Sequence, residues 1–352
     1  MTDCCQGWRD RINGREFDMS HYLLNSYMQL QADINCASGL ACPEKIYLDI
    51  TEDCNLHCPM CRSEVSVDGK TMPMKLFKRL VDETSPYCKS YALFIWGEPL
   101  ILNDFRERVQ YVHANKRPDC NIEISTNGML LTDDMIRFLR RYEVRIIVSF
   151  DSANESTFEK IRAGASFEQV CKNAKALNLA YEDAPLNIAP ATYTAVQKDN
   201  CSELDRIVEK VSQLGFSRIG FGLVTAPAEY APCLDEQLCC ELQSAYHSAR
   251  QNGLFVELYP TRVGECVYWG GKYVKANDFI VRTRCDAPMS SAVVRYDGEL
   301  CLCCNFGAIV GNVTDRSFLE VWQSSHYNKL REAVNNRDTM PYPCRNCWWV
   351  NR

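Results

Sequence analysis

The stretch Ile46-Tyr47-Leu48-Asp49-Ile50-Thr51-Glu52-Asp53-Cys54-Asn55-Leu56-His57-Cys58-Pro59-Met60-Cys61 decides how this chain is read. Its first five residues, apolar but for Asp49, form a run of strand length, and the polar residues behind them end the run. Three cysteines then follow on one loop at C-x3-C-x2-C spacing. In parallel α/β folds, ligands gather where the carboxyl ends of the strands meet their loops, so this loop faces the open end of the sheet. Thiolates are the soft donors that iron–sulfur clusters take. Three of them satisfy three irons of a four-iron cube and leave one iron open to a reactant, as an open position does in catalytic zinc sites. The competing readings are a zinc knuckle and three unrelated cysteines, but zinc ordinarily draws a fourth Cys or His from a nearby pair.

Outward from the loop, short apolar runs alternate with amphipathic stretches, the pattern of βα units around a parallel sheet. Strands are predicted near Ile46–Ile50, Tyr91–Ile95, Ile122–Ser125, Ile146–Phe150, Asn187–Tyr193 and Ile219–Leu223. Helical spacing of apolar residues covers Met74–Asp82, Phe105–Ala114, Asp133–Tyr142, Phe167–Leu179 and Glu203–Leu214. This predicts an α/β chain whose residues 45–260 form an open, partial (β/α)6 TIM-like barrel. A helix near Glu236–Gln251 and a strand near Phe255–Tyr259 extend it. From residue 261 to 352 the texture turns Gly-, Cys- and aromatic-rich, with a hairpin turn at Tyr296-Asp297-Gly298-Glu299, and reads as a small α+β domain. Residues 1–44 form an N-terminal extension with a helical pattern near Met19–Ile34.

The chain holds 21 cysteines in 352 residues, too many to pass without a reason. Disulfide scaffolds belong to short secreted domains, whereas this chain is long and opens on the polar run Met1–Arg15 rather than an apolar signal core. Reduced thiols in a cytoplasmic protein are therefore expected, some binding metal. Scattered cysteines such as Cys88, Cys171 and Cys201 read as small packed hydrophobes. A net charge of −6 offers no broad basic face, so nucleic acid is not an expected partner. No run approaches 18 apolar residues, so neither is a membrane.

Later strand ends carry polar groups as well. Trp96-Gly97-Glu98-Pro99 follows the second strand, and there a carboxylate and bare carbonyls can accept hydrogen bonds from an ammonium group. Ser125-Thr126-Asn127-Gly128 ends the third strand, and Ser149-Phe150-Asp151 the fourth. Their side chains suit ribose hydroxyls; an Asn-Gly turn and an N-capping Asp are the plainer alternatives.

The cysteine loop after strand one, with Gly97-Glu98-Pro99 one strand on, resembles the radical S-adenosylmethionine (SAM) superfamily. Trp96 stands where that family has a glycine, and Met60 where it often has an aromatic residue. The resemblance implies a [4Fe–4S] cluster on Cys54, Cys58 and Cys61 whose open iron chelates SAM. It also implies reductive cleavage of SAM to a 5′-deoxyadenosyl radical that takes a hydrogen atom from an unactivated C–H bond. Gly97 and Glu98 would hold the SAM amino group, and Ser125, Asn127, Ser149 and Asp151 would touch its ribose and methionine. Arg162 would clamp its carboxylate unless it lies on an exposed helix face, and Val224 would meet adenine. An electron donor of flavodoxin or ferredoxin type is implied too.

Cys285, Gly298, Cys303 and Cys344-Arg345-Asn346-Cys347 are spaced like the Twitch domain, the short relative of the SPASM domain of that superfamily. Gly311-Asn312-Val313 and Val321-Trp322 fit its usual connection. A second, auxiliary [4Fe–4S] cluster on Cys285, Cys303, Cys344 and Cys347 is implied. Cys304 is the alternative to Cys303, and structural zinc the alternative to iron. Relatives of this plan include an enzyme that oxidises a cyclitol alcohol, so the expected substrate is a sugar-, aminocyclitol- or nucleoside-like small molecule, dehydrogenated, dehydrated or epimerised. A peptide-modifying maturase is the second reading, and a non-catalytic metal-binding protein the third. An epimerase needs a thiol that returns a hydrogen atom; Cys266 is the candidate, against the packed-thiol alternative.

Overall fold

The computed structural model describes residues 42–61, 69–260, 262–269, 272–275, 285–304, 308–336, 338–341, 344 and 347. The helix expected over Met19–Ile34 lies outside these. Seven strands run parallel and in chain order: β1 (Lys45–Leu48), β2 (Ser90–Ala92), β3 (Asn121–Thr126), β4 (Val144–Ser149), β5 (Ala191–Val196), β6 (Arg218–Leu223) and β7 (Phe255–Leu258). Between them lie α1 (Met74–Thr84), α2 (Phe105–Asn115), α3 (Asp133–Arg141), α4 (Glu155–Ile161), α5 (Phe167–Ala180), α6 (Leu204–Gln213) and α7 (Glu236–Gln251). This is the partial TIM-like barrel, with β7 added at its far edge.

Alternation along each strand sorts side chains between helices and barrel interior. On β4, Val144, Ile146 and Val148 are fully buried among core residues, while Arg145, Ile147 and Ser149 face the other way. At the amino ends of the strands the inward positions form a chain of ion pairs. Lys45 meets Glu123, Glu123 meets Arg145, Arg145 meets Glu257, and Glu257 meets Arg218. A charged floor thus links β1, β3, β4, β7 and β6 and leaves the carboxyl ends as the working face.

Side-chain caps begin α3, α4, α5 and α7. Thr132, Asn154, Ser166 and Asp235 each accept a hydrogen bond from the amide three residues on, a device that contributes about 1 kcal/mol per helix. The cap at Asn154 starts α4, a helix not anticipated from the periodicity because it is only seven residues long. Strand β5 begins later than the expected Asn187–Tyr193. Ile188 N donates to Pro185 O at 3.0 Å and closes a turn there, and Pro190 lacks an amide for the ladder. Strand β2 ends earlier than Ile95, so that Phe94–Trp96 leave the sheet toward the open face.

After β7 come a small antiparallel sheet of β8 (Arg262–Val263), β9 (Cys266–Trp269) and β10 (Lys272–Lys275), then β11 (Ser291–Val294), β12 (Glu299–Cys301) and β13 (Ile309–Asn312). Strand β11 pairs in parallel with β1, residue for residue from Lys45↔Ser291 to Leu48↔Val294, and β12 and β13 follow antiparallel. The C-terminal strands therefore extend the barrel's own sheet to ten strands. The expected hairpin turn joins β11 to β12, with Gly298 at φ +85°, where a Cβ would come within 2.8 Å of Thr314. Helices α8 (Ala287–Ser290), α9 (Phe318–Trp322) and α10 (Ser325–Val334) complete this end.

Candidate active site

A cavity of about 300 Å³ opens at the carboxyl ends of the strands, and Cys54, Cys58 and Cys61 all line it. The loop that carries them is held by its own backbone. Cys61 N donates to Cys58 O at 3.0 Å and His57 N to Ala163 O at 2.9 Å, while Leu56 N points at Cys54 Sγ at 3.4 Å. Burial pushes the Cys54 thiol up to about 11, with Glu98, Cys58 and Cys61 adding to the rise. Burial also raises Cys58, opposed by the guanidinium of Arg162 beside it. Thiolates gathered in so enclosed a place need positive charge to pair with, which iron supplies. Three soft donors in one cavity, one of them already receiving an N–H···S bond, fit the open-cornered cluster.

Gly97, Glu98, Ser125, Asn127, Ser149, Arg162 and Val224 line the same cavity. Gly97 is required by close approach: a Cβ there would stand 2.2 Å from Thr51 O and 2.7 Å from Asp53 O, inside the cysteine loop's approach segment. Glu98 N donates to Asp53 O at 2.9 Å and completes that junction. The Glu98 side chain is 2 % exposed and already takes three donors: Thr126 Oγ1 at 2.9 Å and Leu100 N at 3.2 Å on Oε1, and Asn127 N at 2.7 Å on Oε2. One acceptor position on Oε2 is left for a ligand amine. Burial pushes its carboxyl up to about 7 against the pull of those hydrogen bonds.

Asn127 is committed to the protein as well. Its Nδ2 donates to Asn55 Oδ1 at 2.8 Å and lies 4.0 Å from Cys54 Sγ, and its Oδ1 accepts from Met129 N at 3.0 Å. It latches the cysteine loop to the end of β3. Asp151 stands behind the cavity wall, 0 % exposed, with Ala195 N donating to Oδ1 at 2.7 Å and Arg162 Nε donating to Oδ2. Its place is to orient Arg162, whose remaining donors are left for the cavity.

Sequence reasoning missed Phe94, Tyr193 and Ala195, which also line the cavity. Tyr193 had a signal, as the residue at the end of the expected fifth strand. Cys266 lies elsewhere. It begins β9 and its thiol meets Cys239 of α7, beside a group of tyrosines made of Tyr246, Tyr259, Tyr268 and Tyr273. It is not among the residues lining the cavity, because the β8–β10 sheet packs on the outer helix α7.

The second cysteine group comes from distant points of the chain. Cys285 is fixed by Asn335, which accepts from Cys285 N at 2.8 Å and donates to Cys285 O at 2.9 Å. Cys303 follows β12 and faces Tyr327, while Cys304 comes within electrostatic reach of Lys45, Tyr47 and Cys347. Cys344 and Cys347 share a turn, Cys347 N pointing at Cys344 O at 3.5 Å. Among the described residues no three Cys, His, Asp or Glu side chains converge on a single-ion site. Sulfurs around a four-iron cube each bind a different iron and have no need to. None of the described helices is long and apolar enough to cross a membrane.

Comparison with known proteins fits this geometry. Residues 48–188 match the radical SAM superfamily profile, and residues 285–348 match SPASM, an iron-sulfur cluster-binding domain. The chain is 27% identical over 332 residues to the tungsten-containing aldehyde ferredoxin oxidoreductase cofactor-modifying protein of Pyrococcus furiosus, covering 86% of each chain. It is 26% identical over 323 residues to the AdoMet-dependent heme synthase of Methanosarcina barkeri, covering 82% of this chain and 85% of that one. Its fold matches Streptococcus suis SuiB bound to S-adenosylmethionine with a TM-score of 0.65 and 16% identity, over 90% of this chain and 74% of that one. The cofactors that follow are SAM with its [4Fe–4S] cluster, and auxiliary iron–sulfur chemistry at the C-terminal end. The three-thiol loop at the mouth of the partial barrel thus lies in a radical SAM domain, and the cysteine-bearing C-terminal segment zipped to the barrel's edge lies in a SPASM iron–sulfur domain.

Proposed function

We propose that this protein oxidises a small organic molecule by hydrogen-atom abstraction, with cofactor precursors joining sugar-, aminocyclitol- and nucleoside-like compounds as the candidate substrates. The observation that carries the reading is the convergence of Cys54, Cys58, Cys61 and Arg162 on one cavity at the strand ends. When bound, SAM and its cluster supply a carbon radical strong enough to take hydrogen from an unactivated C–H bond. The chain's own residues then have defined tasks. Cys54, Cys58 and Cys61 hold the cluster. Arg162, oriented by Asp151, meets the carboxylate of the methionine moiety, and the free acceptor position of Glu98 meets its amine. Ser125 and Ser149 offer hydroxyls to the ribose, and Val224 offers an apolar surface to the adenine. Cys285, Cys303, Cys344 and Cys347 would hold the auxiliary iron–sulfur cluster, which would supply an electron acceptor for the oxidation. Two relatives matched over most of their length act on a cofactor or make heme, which supports a small-molecule substrate.

Anaerobic reconstitution tests this. Two four-iron clusters give about eight irons per chain, and dithionite with SAM releases 5′-deoxyadenosine. Deuterium carried from a labelled small-molecule substrate into that 5′-deoxyadenosine identifies the class. Transfer from labelled peptides alone would replace this reading by the peptide-modifying one, and no release at all would leave only a metal-binding protein.

A further inference from the structure

One guanidinium joins the two cysteine-bearing regions. Arg295 directly follows β11, where Asp49 N still donates to Val294 O at 2.8 Å and continues the ladder between β1 and the C-terminal hairpin. Its Nε and Nη2 donate to Glu52 Oε1 at 3.0 and 2.7 Å. Glu52 is 6 % exposed and stands two residues before Cys54. Nη1 donates to Glu299 Oε2 at 2.7 Å, at the start of the strand that leads to Cys303 and Cys304. The Cζ of the guanidinium lies over the ring of Trp96, 5.4 Å from its centre, and Trp96 is a wall of the SAM cavity. Trp96 is tied back in turn, its amide pointing at Asp49 Oδ1 at 3.4 Å.

We propose that Arg295 is a positioning residue that sets the Glu52–Cys54 segment and the Trp96 wall from the C-terminal hairpin, so that SAM binding depends on the hairpin's seat. A fork of donors that bonds two carboxylates while stacking on an indole is a task that arginine performs and lysine does not. Trp96 is the position where the superfamily's motif has glycine, and the bulk there gives the hairpin something to press on. This deepens the proposed function and rests on the cavity being the SAM site.

The test reads SAM binding rather than turnover. Reconstituted protein is reduced with dithionite, and the dissociation constant for SAM is taken from the change SAM makes in the EPR spectrum. Arg295→Gln is expected to weaken binding by about tenfold with the iron count unchanged, as is Glu52→Gln. Glu299→Gln, which cuts only the hairpin arm, and Trp96→Phe, which keeps an apolar wall with a weaker stacking face, each lose about threefold. Arg295→Lys falls between Arg295→Gln and the parent. Binding within twofold of the parent in both Arg295→Gln and Glu52→Gln would overturn the proposal, as would loss of about four irons from Arg295→Gln, which marks a structural prop of the auxiliary site. If Arg295→Gln does not fold, Glu299→Gln and Trp96→Phe carry the decision, and parent-like binding in both overturns it. A parent protein that binds SAM but releases no 5′-deoxyadenosine would sink the proposed function and leave this one standing.

Discussion

The two cysteine regions solve one problem in opposite ways. Cys54, Cys58 and Cys61 lie within eight residues of chain, and the surrounding barrel fastens that short loop from four sides: Glu98 N to Asp53 O, Asn127 to Asn55, His57 N to Ala163 O, and Arg295 to Glu52. Cys285, Cys303, Cys344 and Cys347 span more than sixty positions, and their placement rests on strand pairing, on Asn335 and on the packing of Trp322 and Tyr327. A local motif needs a scaffold only to aim it. A dispersed one needs the fold to exist before its ligands meet.

Cutting each region in turn is the strongest way to break the comparison. Cys58→Ala should abolish 5′-deoxyadenosine release and leave about four of eight irons, by iron assay and chromatography. Residual release would show that this loop is not where the chemistry starts. Cys347→Ala should remove a similar four irons while 5′-deoxyadenosine still forms, with product reduced by about a hundredfold. Equal loss of both would erase the division of labour. Running Cys303→Ala beside Cys304→Ala decides the third ligand, since only the true one costs iron.

Glu98→Gln sharpens the comparison at the level of stability. It sets an amide against donors from Thr126 and Asn127 in a buried place and should cost about 2–3 kcal/mol, read from the urea midpoint. A loss under half of that would mean the carboxylate is no hub. Asn127→Ala removes only the latch to Asn55 and the bond from Met129 N, and should cost about 1–2 kcal/mol. The same carboxyl also gives stability a pH dependence. Burial raises the Glu98 carboxyl from its ordinary 4.5 to about 7, so the folded state holds its proton longer than the unfolded chain. The stability tied to this group is full below about pH 4.5 and declines as pH rises to about 7, after which it is flat. Glu98→Gln should lose that slope; an unchanged slope would assign it to another group.

Much of this was legible in the residues because it is periodic or local. The six expected strands and the helices between them follow from apolar spacing that the barrel then buries, and the cysteine loop lies directly behind the first of them. Most residues of the strand-end motifs meet in one cavity, but the motifs did not show each residue's partners. Asn127 and Asp151 read as ligand contacts, yet their polar atoms are spent on Asn55, Met129, Ala195 and Arg162. No spacing rule shows which partner a side chain will find across two strands. Cys266 read as a candidate hydrogen-donating thiol, and the short β8–β10 sheet carries it to α7, away from the cavity. Arg295 gave no signal, since of its partners only Glu299 is local, while Glu52 and Trp96 lie 243 and 199 positions away in sequence and meet it through the β1–β11 pairing.

That pairing has a mechanical consequence. Four residues of β11 are zipped to four of β1, and β1 leads straight into the thiol loop. A swing of one cysteine region against the other would have to unzip the middle of a ten-stranded sheet. The two cysteine regions are therefore mounted on one continuous sheet, like two fittings bolted to a single plate.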